Sequence, residues 1–203
     1  MSQFDIVVIG AGPGGYIAAI RAAQLGFKVA CIDHGQNKEK TAPALGGTCL
    51  KVGCIPSKAL LQSSEEFYKV HHELEIHGIH APKAEINIPT MISRKDAIVN
   101  KLTNGVAFLF KKNKVESIYG TASFYEKKAD HFLIEVNDDK KREIVKANWV
   151  IIASGSKVRP LPNVDIDNQL ILDNVGALDL QSVPRNLGAV SYTHLRAHET
   201  RGN

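Results

Sequence analysis

The sequence predicts an α/β fold in which a parallel sheet is joined to a small antiparallel β-meander. Three observations predict it. A glycine-rich turn separates an apolar run from a helical stretch, a second apolar run follows that helix, and short strand-like runs begin after Val115. With 203 residues and 44% hydrophobic residues, the chain is long enough for one domain and part of a second.

The N-terminal elements are predicted as a βαβ unit. Residues 4–9 form an apolar strand, and residues 13–25 form a helix that has Pro13 in its first turn and Gly26 just after its end. Residues 28–32 form a second buried strand, so the two strands should lie parallel. A polar loop follows, and then a helix that runs to about Glu75.

The second half of the chain changes from a helical to a strand period. Residues 90–112 are predicted as an amphipathic helix whose buried stripe is Ile98, Leu102, Val106 and Leu109. Three short runs are predicted as the meander, with a turn over residues 137–139, and a further buried strand precedes the Ser154 and Gly155 turn. The three runs of the meander are residues 115–119, 131–136 and 143–146, and the further strand is 149–153.

The glycine-rich turn has the pattern GxGxxG, formed by Gly10, Gly12 and Gly15. The first glycine permits a tight turn, the second lets a pyrophosphate approach the backbone, and the third lets helix and strand pack closely. Asp33 ends the second strand, where a carboxylate can accept hydrogen bonds from ribose hydroxyls. The motif predicts a dinucleotide site, with tight packing alone as the alternative, and does not choose between NAD and FAD.

Cys49 and Cys54 lie five positions apart in the segment GGTCLKVGCIPSK. In a regular helix their Cα atoms would be about 8 to 9 Å apart, beyond the roughly 7 Å limit of a disulfide. A bridge therefore requires a distorted segment, which the glycines before each cysteine and Pro56 can supply. Zinc would need about four nitrogen or sulfur ligands, and this part of the chain offers no second cysteine pair and no suitable histidine spacing. The alternative to a disulfide is therefore two unrelated buried thiols.

Two segments, GPGGYIAAIRAAQLG and GGTCLKVGCIPSKALL, resemble the FAD-linked, disulfide-containing pyridine-nucleotide oxidoreductases of class I. The resemblance extends from Phe4 to about Pro160 and is greatest to the branch that oxidises dihydrolipoamide. It implies a FAD-binding, Rossmann-like domain, truncated before the NAD-binding domain. It also implies FAD as the cofactor and NAD as the co-substrate of the full-length enzyme.

The resemblance implies roles for particular residues. Cys49 and Cys54 would form the redox-active disulfide, with Cys49 exchanging with the dithiol substrate and Cys54 nearest the flavin. Lys58 would lie beside the flavin ring, where a positive charge stabilises the reduced form. The residues implied for cofactor binding are Gly10, Gly12, Gly14, Gly15, Asp33, Gly47, Thr48, Lys58, Gly120, Ser154 and Gly155.

Some of these positions depart from the family pattern or allow a simpler interpretation. The family usually has Glu at Asp33 and Asn at Lys51, so local contacts should differ there. Ser154 stands where the family has Thr. The Gly120 and Ser154-Gly155 positions are equally compatible with ordinary turns at strand ends.

The implied activity is oxidation of protein-bound dihydrolipoamide through the cysteine pair and FAD to NAD. The implied partners are a lipoyl-bearing carrier protein of 2-oxoacid dehydrogenase or glycine cleavage complexes, and a second copy in the homodimer of the full-length enzyme. Two alternatives stay open. One is another reductase of the family, of the mercuric or glutathione type, and the other is a non-catalytic or unfolded flavin-domain fragment.

The chain is divided by the resemblance into three parts. Residues 1–160 would be the N-terminal part of the FAD-binding domain, and 161–190 the connection to and start of the NAD-binding domain. Residues 191–203 lack the second GxGxxG that the family has there, so we expect an unassigned, non-native tail. We also expect negligible NAD-dependent turnover from this chain alone.

Composition excludes several other classes. The formal net charge of +4 is not gathered into a basic block interleaved with aromatics, so no nucleic-acid partner is expected. No apolar run approaches the roughly 18 residues of a membrane span, and a strand pattern starts directly after Met1, without a targeting segment. We expect a cytoplasmic protein with no metal site, since the histidines lack companion ligands.

Overall fold

The computed structural model describes residues 2–81, 83–138, 141–160 and 162–189. Six strands form one sheet in the order β3-β2-β1-β6-β5-β4. The strands are β1 (Ser2–Ile9), β2 (Val29–Asp33), β3 (Glu116–Tyr119), β4 (Thr121–Lys127), β5 (Phe132–Asp138) and β6 (Lys141–Ile152). The helices are α1 (Pro13–Gln24), α2 (Gly47–Val52), α3 (Cys54–His72), α4 (Ile88–Lys112) and α5 (Asn174–Ala177), with a 3₁₀ helix over Leu74–His77.

The predicted α/β class is confirmed, and β1 is the strand around which the sheet is built. It pairs in parallel with β2 on one side, with Ile6 opposite Val29, and with β6 on the other, with Ile6 opposite Trp149. β3 extends this parallel part beyond β2. Since the carboxyl ends of parallel strands meet at one edge, the loops after β1, β2 and β6 converge there.

Side chains alternate between the two faces of the sheet, and each face has its own core. Val8 and Cys31 are fully buried on the face covered by helices α1 and α4. Val7 and Ile32 are buried on the opposite face, together with Ile134 of β5. The parallel strands are therefore apolar on both faces, as strands covered on both sides are.

The predicted meander was wrong in its membership. The run 115–119 contains β3, which pairs in parallel with β2 rather than with the meander strands. The antiparallel part is β4-β5-β6, and β4 was not predicted, because its side chains are mostly exposed.

The runs 143–146 and 149–153 are not separate strands but lie mainly within β6. This 12-residue strand pairs with β1 in parallel and with β5 in antiparallel fashion, so it joins the two parts of the sheet. The turn predicted over 137–139 begins later, because Asp138 still pairs with Lys141. Asp139 lies outside the described residues, as does the tail 191–203.

The buried stripe of α4 was also predicted wrongly in part. Val106 is buried, but Leu102 is 39% exposed and Leu109 is 40% exposed. The face that packs against the other helices is a neighbouring one that includes two polar residues, Lys95 and Thr103. The Lys95 ammonium is satisfied by the distant Leu178 carbonyl, which only the folded chain brings near, whereas the Thr103 hydroxyl donates to the Asn100 carbonyl of its own helix. The inward side chains of α4 are Ile92, Lys95, Thr103, Val106 and Phe110.

The cysteine segment and the helix predicted to follow it, up to about Glu75, correspond to α2 and α3. α2 ends at Val52, Gly53 adopts a non-helical conformation, and α3 begins at Cys54. α3 itself ends at His72, before the 3₁₀ helix. Among the helices of the described residues, none combines the length and the apolar character that a membrane crossing requires.

Candidate active site

A cleft of about 490 Å³ opens at the edge of the sheet where β1, β2 and β6 end. Two surfaces enclose it. We call the first the glycine wall, which consists of residues 10–13, 33–35 and 153–157, and the second the cysteine wall, which consists of residues 47–54. The predicted site residues that line the cleft are Gly10, Gly12, Asp33, Gly47, Thr48, Cys49, Cys54, Ser154 and Gly155.

Main-chain contacts too close for any side chain build the glycine wall. Gly10 has φ +101°, and a Cβ there would lie 2.1 Å from the Ala153 carbonyl oxygen. A Cβ on Gly15 would lie 1.7 Å from the Gly10 carbonyl oxygen. These contacts explain two of the three motif glycines as requirements of packing, while Gly12 is the N-cap of α1 and faces the cleft.

The start of α1 presents a surface suited to anions. Its N-cap is Gly12 and Pro13 occupies the first turn, so no side chain covers the N–H groups of that turn. The first N–H groups of a helix lack intrahelical partners, and the helix dipole adds positive potential there. A phosphate placed at this end of the cleft would meet backbone donors.

Asp33 ends β2 and points its carboxylate into the same region. Its Oδ2 accepts a hydrogen bond from the Ala11 N–H at 3.3 Å, and its Oδ1 accepts one from the Gly35 N–H at 3.3 Å. The carboxylate is thus held between the loops after β1 and β2, where it lines the cleft. Such a carboxylate can accept further hydrogen bonds from hydroxyl groups of a ligand.

The two glycine-rich segments of the chain meet backbone to backbone. The Gly46 N–H donates to the Ala11 carbonyl at 2.8 Å. Gly47 has φ +61°, and a Cβ on it would lie 2.6 Å from the Gly12 Cα. This approach brings the start of α2 beside the start of α1, so that the two walls are in contact at the bottom of the cleft.

Cys49 and Cys54 form a disulfide in the cysteine wall, with their Cα atoms 4.6 Å apart. The expected distortion is present, because α2 stops at Val52, Gly53 leaves the helical conformation, and α3 starts at Cys54. Gly53 makes that change possible: a Cβ there would lie 2.9 Å from the Thr48 carbonyl oxygen and 3.2 Å from the Cys49 Cα. Of the two cysteines, Cys49 is half-buried and Cys54 is exposed.

Two other groups near the disulfide have perturbed pKa values. Burial lowers the pKa of Lys51, an effect that the negative charge of Asp33 partly opposes. The Lys51 ammonium donates to the Ala44 carbonyl at 3.2 Å. Cys31 lies behind the glycine wall, and burial together with the charge of Asp33 raises the pKa of its thiol to about 12, so the thiol stays protonated at neutral pH.

Four predicted residues do not line the cleft. Gly15 is in the helix–strand contact described above, and Gly14 is exposed on the first turn of α1. Gly120 follows β3, where its N–H donates to the Asp33 carbonyl at 3.0 Å, so it lies beside β2. Lys58 is exposed one helical turn after Cys54 on α3.

Sequence reasoning also missed residues that line the cleft. Their common feature is that they come shortly after β1, β2 or β6, or lie between the two cysteines. The rule that ligands bind beyond the carboxyl ends of parallel strands would have pointed to the first group. The missed residues are Ala11, Pro13, His34, Gly35, Lys51, Val52, Gly53, Ala153, Ser156 and Lys157.

The cleft has the features of a dinucleotide-binding site. It combines glycine backbone, a helix N-terminus and a carboxylate at a strand end, the arrangement that dinucleotide-binding domains use. Within the part of the chain that the structure describes, no group of three or more His, Cys, Asp or Glu side chains is placed to hold a metal. Fold and site together define a nucleotide-binding α/β domain with a disulfide at the mouth of the nucleotide cleft.

Comparison with known proteins identifies the family to which this domain belongs. Residues 4–190 match the family model described as pyridine nucleotide-disulphide oxidoreductase, and the chain belongs to that family. It is 52% identical over 189 residues to dihydrolipoyl dehydrogenase from Cupriavidus necator, covering 93% of this chain and 39% of the relative. It is 45% identical over 184 residues to the mitochondrial dihydrolipoyl dehydrogenase 2 of Arabidopsis thaliana, covering 90% of this chain and 34% of the relative.

The fold has a counterpart in a solved structure. The crystal structure of LpdA from Mycobacterium tuberculosis matches with a TM-score of 0.75 at 20% identity, covering 91% of this chain and 38% of that chain. The resemblance inferred from the two sequence segments is therefore confirmed at the level of the family. The chain spans between about a third and two fifths of the length of these relatives.

Proposed function

We propose that this chain is the flavin- and disulfide-bearing part of an enzyme that oxidises protein-bound dihydrolipoamide and reduces NAD. The observation that carries the proposal is the Cys49–Cys54 disulfide at the mouth of a glycine-lined cleft. The 52% identity to a dihydrolipoyl dehydrogenase supports the choice of substrate. That degree of identity is also why lipoamide is favoured over the substrates of mercuric or glutathione-type reductases.

The cleft is proposed to hold FAD, and the residues present fit that group. The N-terminus of α1 at Gly12 would bind the pyrophosphate, and Asp33 would accept hydrogen bonds from the adenosine ribose. Gly47, Thr48, Ser154 and Gly155 would line the cofactor along the two walls. When bound, FAD supplies an acceptor for the electron pair that the reduced cysteines carry.

The chemistry at the chain's own residues is thiol–disulfide exchange. A substrate thiolate would attack the Cys49 sulfur, forming a mixed disulfide and releasing Cys54 as a thiolate. The second substrate thiol, after losing its proton to solvent, would attack the substrate sulfur that is bonded to Cys49. The substrate then leaves as a cyclic disulfide, and Cys49 is released as a thiolate. Two electrons have then moved from the substrate to the cysteine pair.

The remaining site residues are proposed as supports for this exchange. The helix dipole at the start of α3 and the Lys58 charge, one turn beyond Cys54, favour thiolate over thiol in the cleft. Gly14 and Gly15 form the first turn of α1, and Gly120 holds β3 against the Asp33 carbonyl. Cys31 is not proposed to take part, because it is buried and protonated.

The partners and the compartment are proposed from the relatives. A lipoyl-bearing carrier of a 2-oxoacid dehydrogenase or glycine cleavage complex would deliver the dithiol, and NAD and homodimer contacts would belong to the whole enzyme. Residues 1–160 would be FAD domain, and 161–190 would lead to the NAD domain. The relatives include a bacterial and a mitochondrial protein, and a cytoplasmic location is proposed for this one.

The proposal is tested by reducing the purified chain with dihydrolipoamide without oxygen and counting alkylated thiols by mass. We expect modification of both Cys49 and Cys54, and no increase in a chain with Cys49→Ser and Cys54→Ser. A disulfide that dithiothreitol opens but excess dihydrolipoamide leaves intact would contradict the substrate. A yellow chain that releases FAD on denaturation would support the cofactor, and a colourless chain that does not take up added FAD would contradict it.

The order of the two sulfurs needs a separate measurement, since Cys54 is the more exposed of the pair. Each single Cys→Ser variant leaves one cleft thiol besides the buried Cys31, and the mixed disulfide of that cleft thiol with a lipoamide analogue can be trapped and measured by mass. We expect the chain that keeps Cys49 to form it faster than the chain that keeps Cys54. The opposite order would reverse the two roles.

A further inference from the structure

The end of the cysteine wall is held by a residue far away in sequence. The Asn174 side-chain amide donates to the Val52 carbonyl at 2.6 Å, across 122 positions of the chain. Val52 is the last residue of α2 and lies two positions before Cys54. This contact joins the redox segment to α5, which sequence analysis did not connect with the site.

The Val52 carbonyl needs a partner from outside its own helix. The last four carbonyls of a helix have no intrahelical donors. The residue four positions on, which would serve if the helix continued, is Pro56, and proline has no N–H. Since an unpaired, partly buried carbonyl costs free energy, a donor brought by another element stabilises this particular chain path.

Asn174 is itself held in place from several sides. Asp173 caps its turn by accepting hydrogen bonds from the Val175 and Gly176 N–H groups at 2.8 and 3.1 Å. The other end of the turn is fixed by the buried Lys95, whose ammonium donates to the Leu178 carbonyl at 3.0 Å. The Asn174 amide is therefore presented from a turn anchored on α4.

We propose that Asn174 is a positioning residue for the Cys49–Cys54 pair, which it serves by fixing the bend between α2 and α3 through the Val52 carbonyl. The inference rests on the proposed function, because it assumes that the pair opens and closes in use. Two thiols held at the bend have a high effective concentration towards each other. Without the hydrogen bond, the opened segment gains freedom and the disulfide forms less readily.

The size of the effect follows from the worth of one hydrogen bond. Losing it should lower the equilibrium constant for closing the disulfide by about five- to tenfold. Asn174→Asp keeps the size of the side chain but replaces the donor with an oxygen, so its effect should be at least as large as that of Asn174→Ala. Val175→Ala is the matched control, because it truncates the neighbouring side chain of the same turn and leaves the amide in place.

The measurement is the fraction of Cys49–Cys54 disulfide in the 203-residue chain at fixed ratios of reduced to oxidised glutathione. Acid quenching, alkylation and mass determination give that fraction for the parent chain and each variant. We expect Asn174→Asp and Asn174→Ala to shift the midpoint by about five- to tenfold towards the open form, and Val175→Ala to leave it unchanged. Unfolding in urea of the reduced and oxidised chains should show a larger loss for the oxidised chain in both Asn174 variants.

Two results would overturn the inference. One is an unchanged midpoint in both Asn174 variants, even if their urea stability falls, since a merely structural contact would lower stability alone. The other is an equal shift in Val175→Ala, which would assign the effect to the whole turn. Because glutathione replaces lipoamide in this experiment, its failure is separate from a failure of dihydrolipoamide to open the disulfide.

Discussion

The two walls of the cleft are stabilised in different ways. The glycine wall is main chain against main chain: the Gly10 N–H donates to the Ile32 carbonyl at 2.8 Å and the Ala153 N–H to the Ile9 carbonyl at 2.8 Å. These bonds continue the ladders of the sheet. The cysteine wall is helical, and α2 and α3 are held by side-chain hydrogen bonds from α4 and α5.

The glycine wall should therefore be rigid, whereas the cysteine wall should be able to adjust its structure. A wall built from sheet backbone cannot move without breaking strand pairing, which suits the binding of a cofactor. A wall held by single side-chain hydrogen bonds can adjust when a disulfide opens, and its position can be tuned by one substitution. If the comparison holds, substitutions in the glycine wall should disrupt folding and those around the cysteine wall should mainly shift exchange.

The largest expected effect is on the alkylation rate of Cys31, the buried cysteine behind the glycine wall. The pKa of Cys31 is about 12 against an ordinary 9.0, so at pH 9 about one thiol in a thousand is ionised instead of one in two. Alkylation of Cys31 in the folded, reduced chain should be slower by about 500-fold than in urea at that pH. Mass mapping of iodoacetamide-treated chain measures both rates, and equal rates would contradict the buried, protonated state.

The same pKa gives a pH dependence of stability. An unfolded Cys31 loses its proton near pH 9.0, whereas the folded one keeps it to about pH 12. The unfolded state therefore binds fewer protons between these values, and the free energy of unfolding should fall as the pH rises from 9 towards 12. In Cys31→Ala the free energy of unfolding should fall less over this pH range than in the parent chain. Urea midpoints of both chains at pH 8 and pH 10.5 measure the difference.

The next largest effect is expected from Gly15→Ala. The added Cβ would meet the Gly10 carbonyl oxygen at 1.7 Å, and backbone on both sides prevents easy relief, so the free energy of unfolding should drop by about 3 kcal/mol. Gly105→Ala on α4 is the matched control, because nothing lies within 4 Å of a Cβ there. It should gain about 0.5 to 1 kcal/mol from its better helix propensity. Equal urea midpoints for the two variants would show that the packing of α1 behind the glycine wall tolerates a side chain.

The two walls also differ in how far sequence could predict them. Gly10 and Gly12 lie in the turn between β1 and α1, and Asp33 ends β2, in the local structure that the motif predicts. Local placement of this kind is predictable because each residue acts within a short segment whose geometry its own residues set. The bridge between the cysteines was implied by a resemblance and required a break in the helix, which Gly53 provides. Short-range chemistry was therefore enough for the floor of the cleft.

Long-range contacts account for what sequence missed. Nothing around Asn174 indicates that its amide will meet Val52, since the partner is a backbone carbonyl that every residue has. The four-residue β3 contains no period from which parallel pairing with β2 could be told from antiparallel pairing. On α4, the aliphatic stripe through Leu102 and Leu109 looked more apolar than the stripe that is buried, because Lys95 becomes a core residue only through α5.

The smallest effect on stability is expected from Arg94, which holds α3 next to the cysteine wall. Arg94 of α4 clamps α3: one guanidinium nitrogen donates to the Ala59 carbonyl at 3.0 Å and another to the Gln62 Oε1 at 2.6 Å. Arg94 is exposed, so Arg94→Ala should lower the free energy of unfolding by only about 1 kcal/mol. Arg94→Lys should recover part of that loss, since one ammonium cannot reproduce the forked geometry.

The glutathione midpoint of the disulfide should not change in Arg94→Ala, in contrast to Asn174→Asp. The reason is position, since Arg94 grips α3 more than one turn beyond Cys54, whereas Asn174 holds the bend itself. Urea midpoints and disulfide fractions measured on the same samples check both statements. A shift in Arg94→Ala as large as that in Asn174→Asp would mean that α2 and α3 respond as one body, and that the flexibility of the cysteine wall is not confined to its bend.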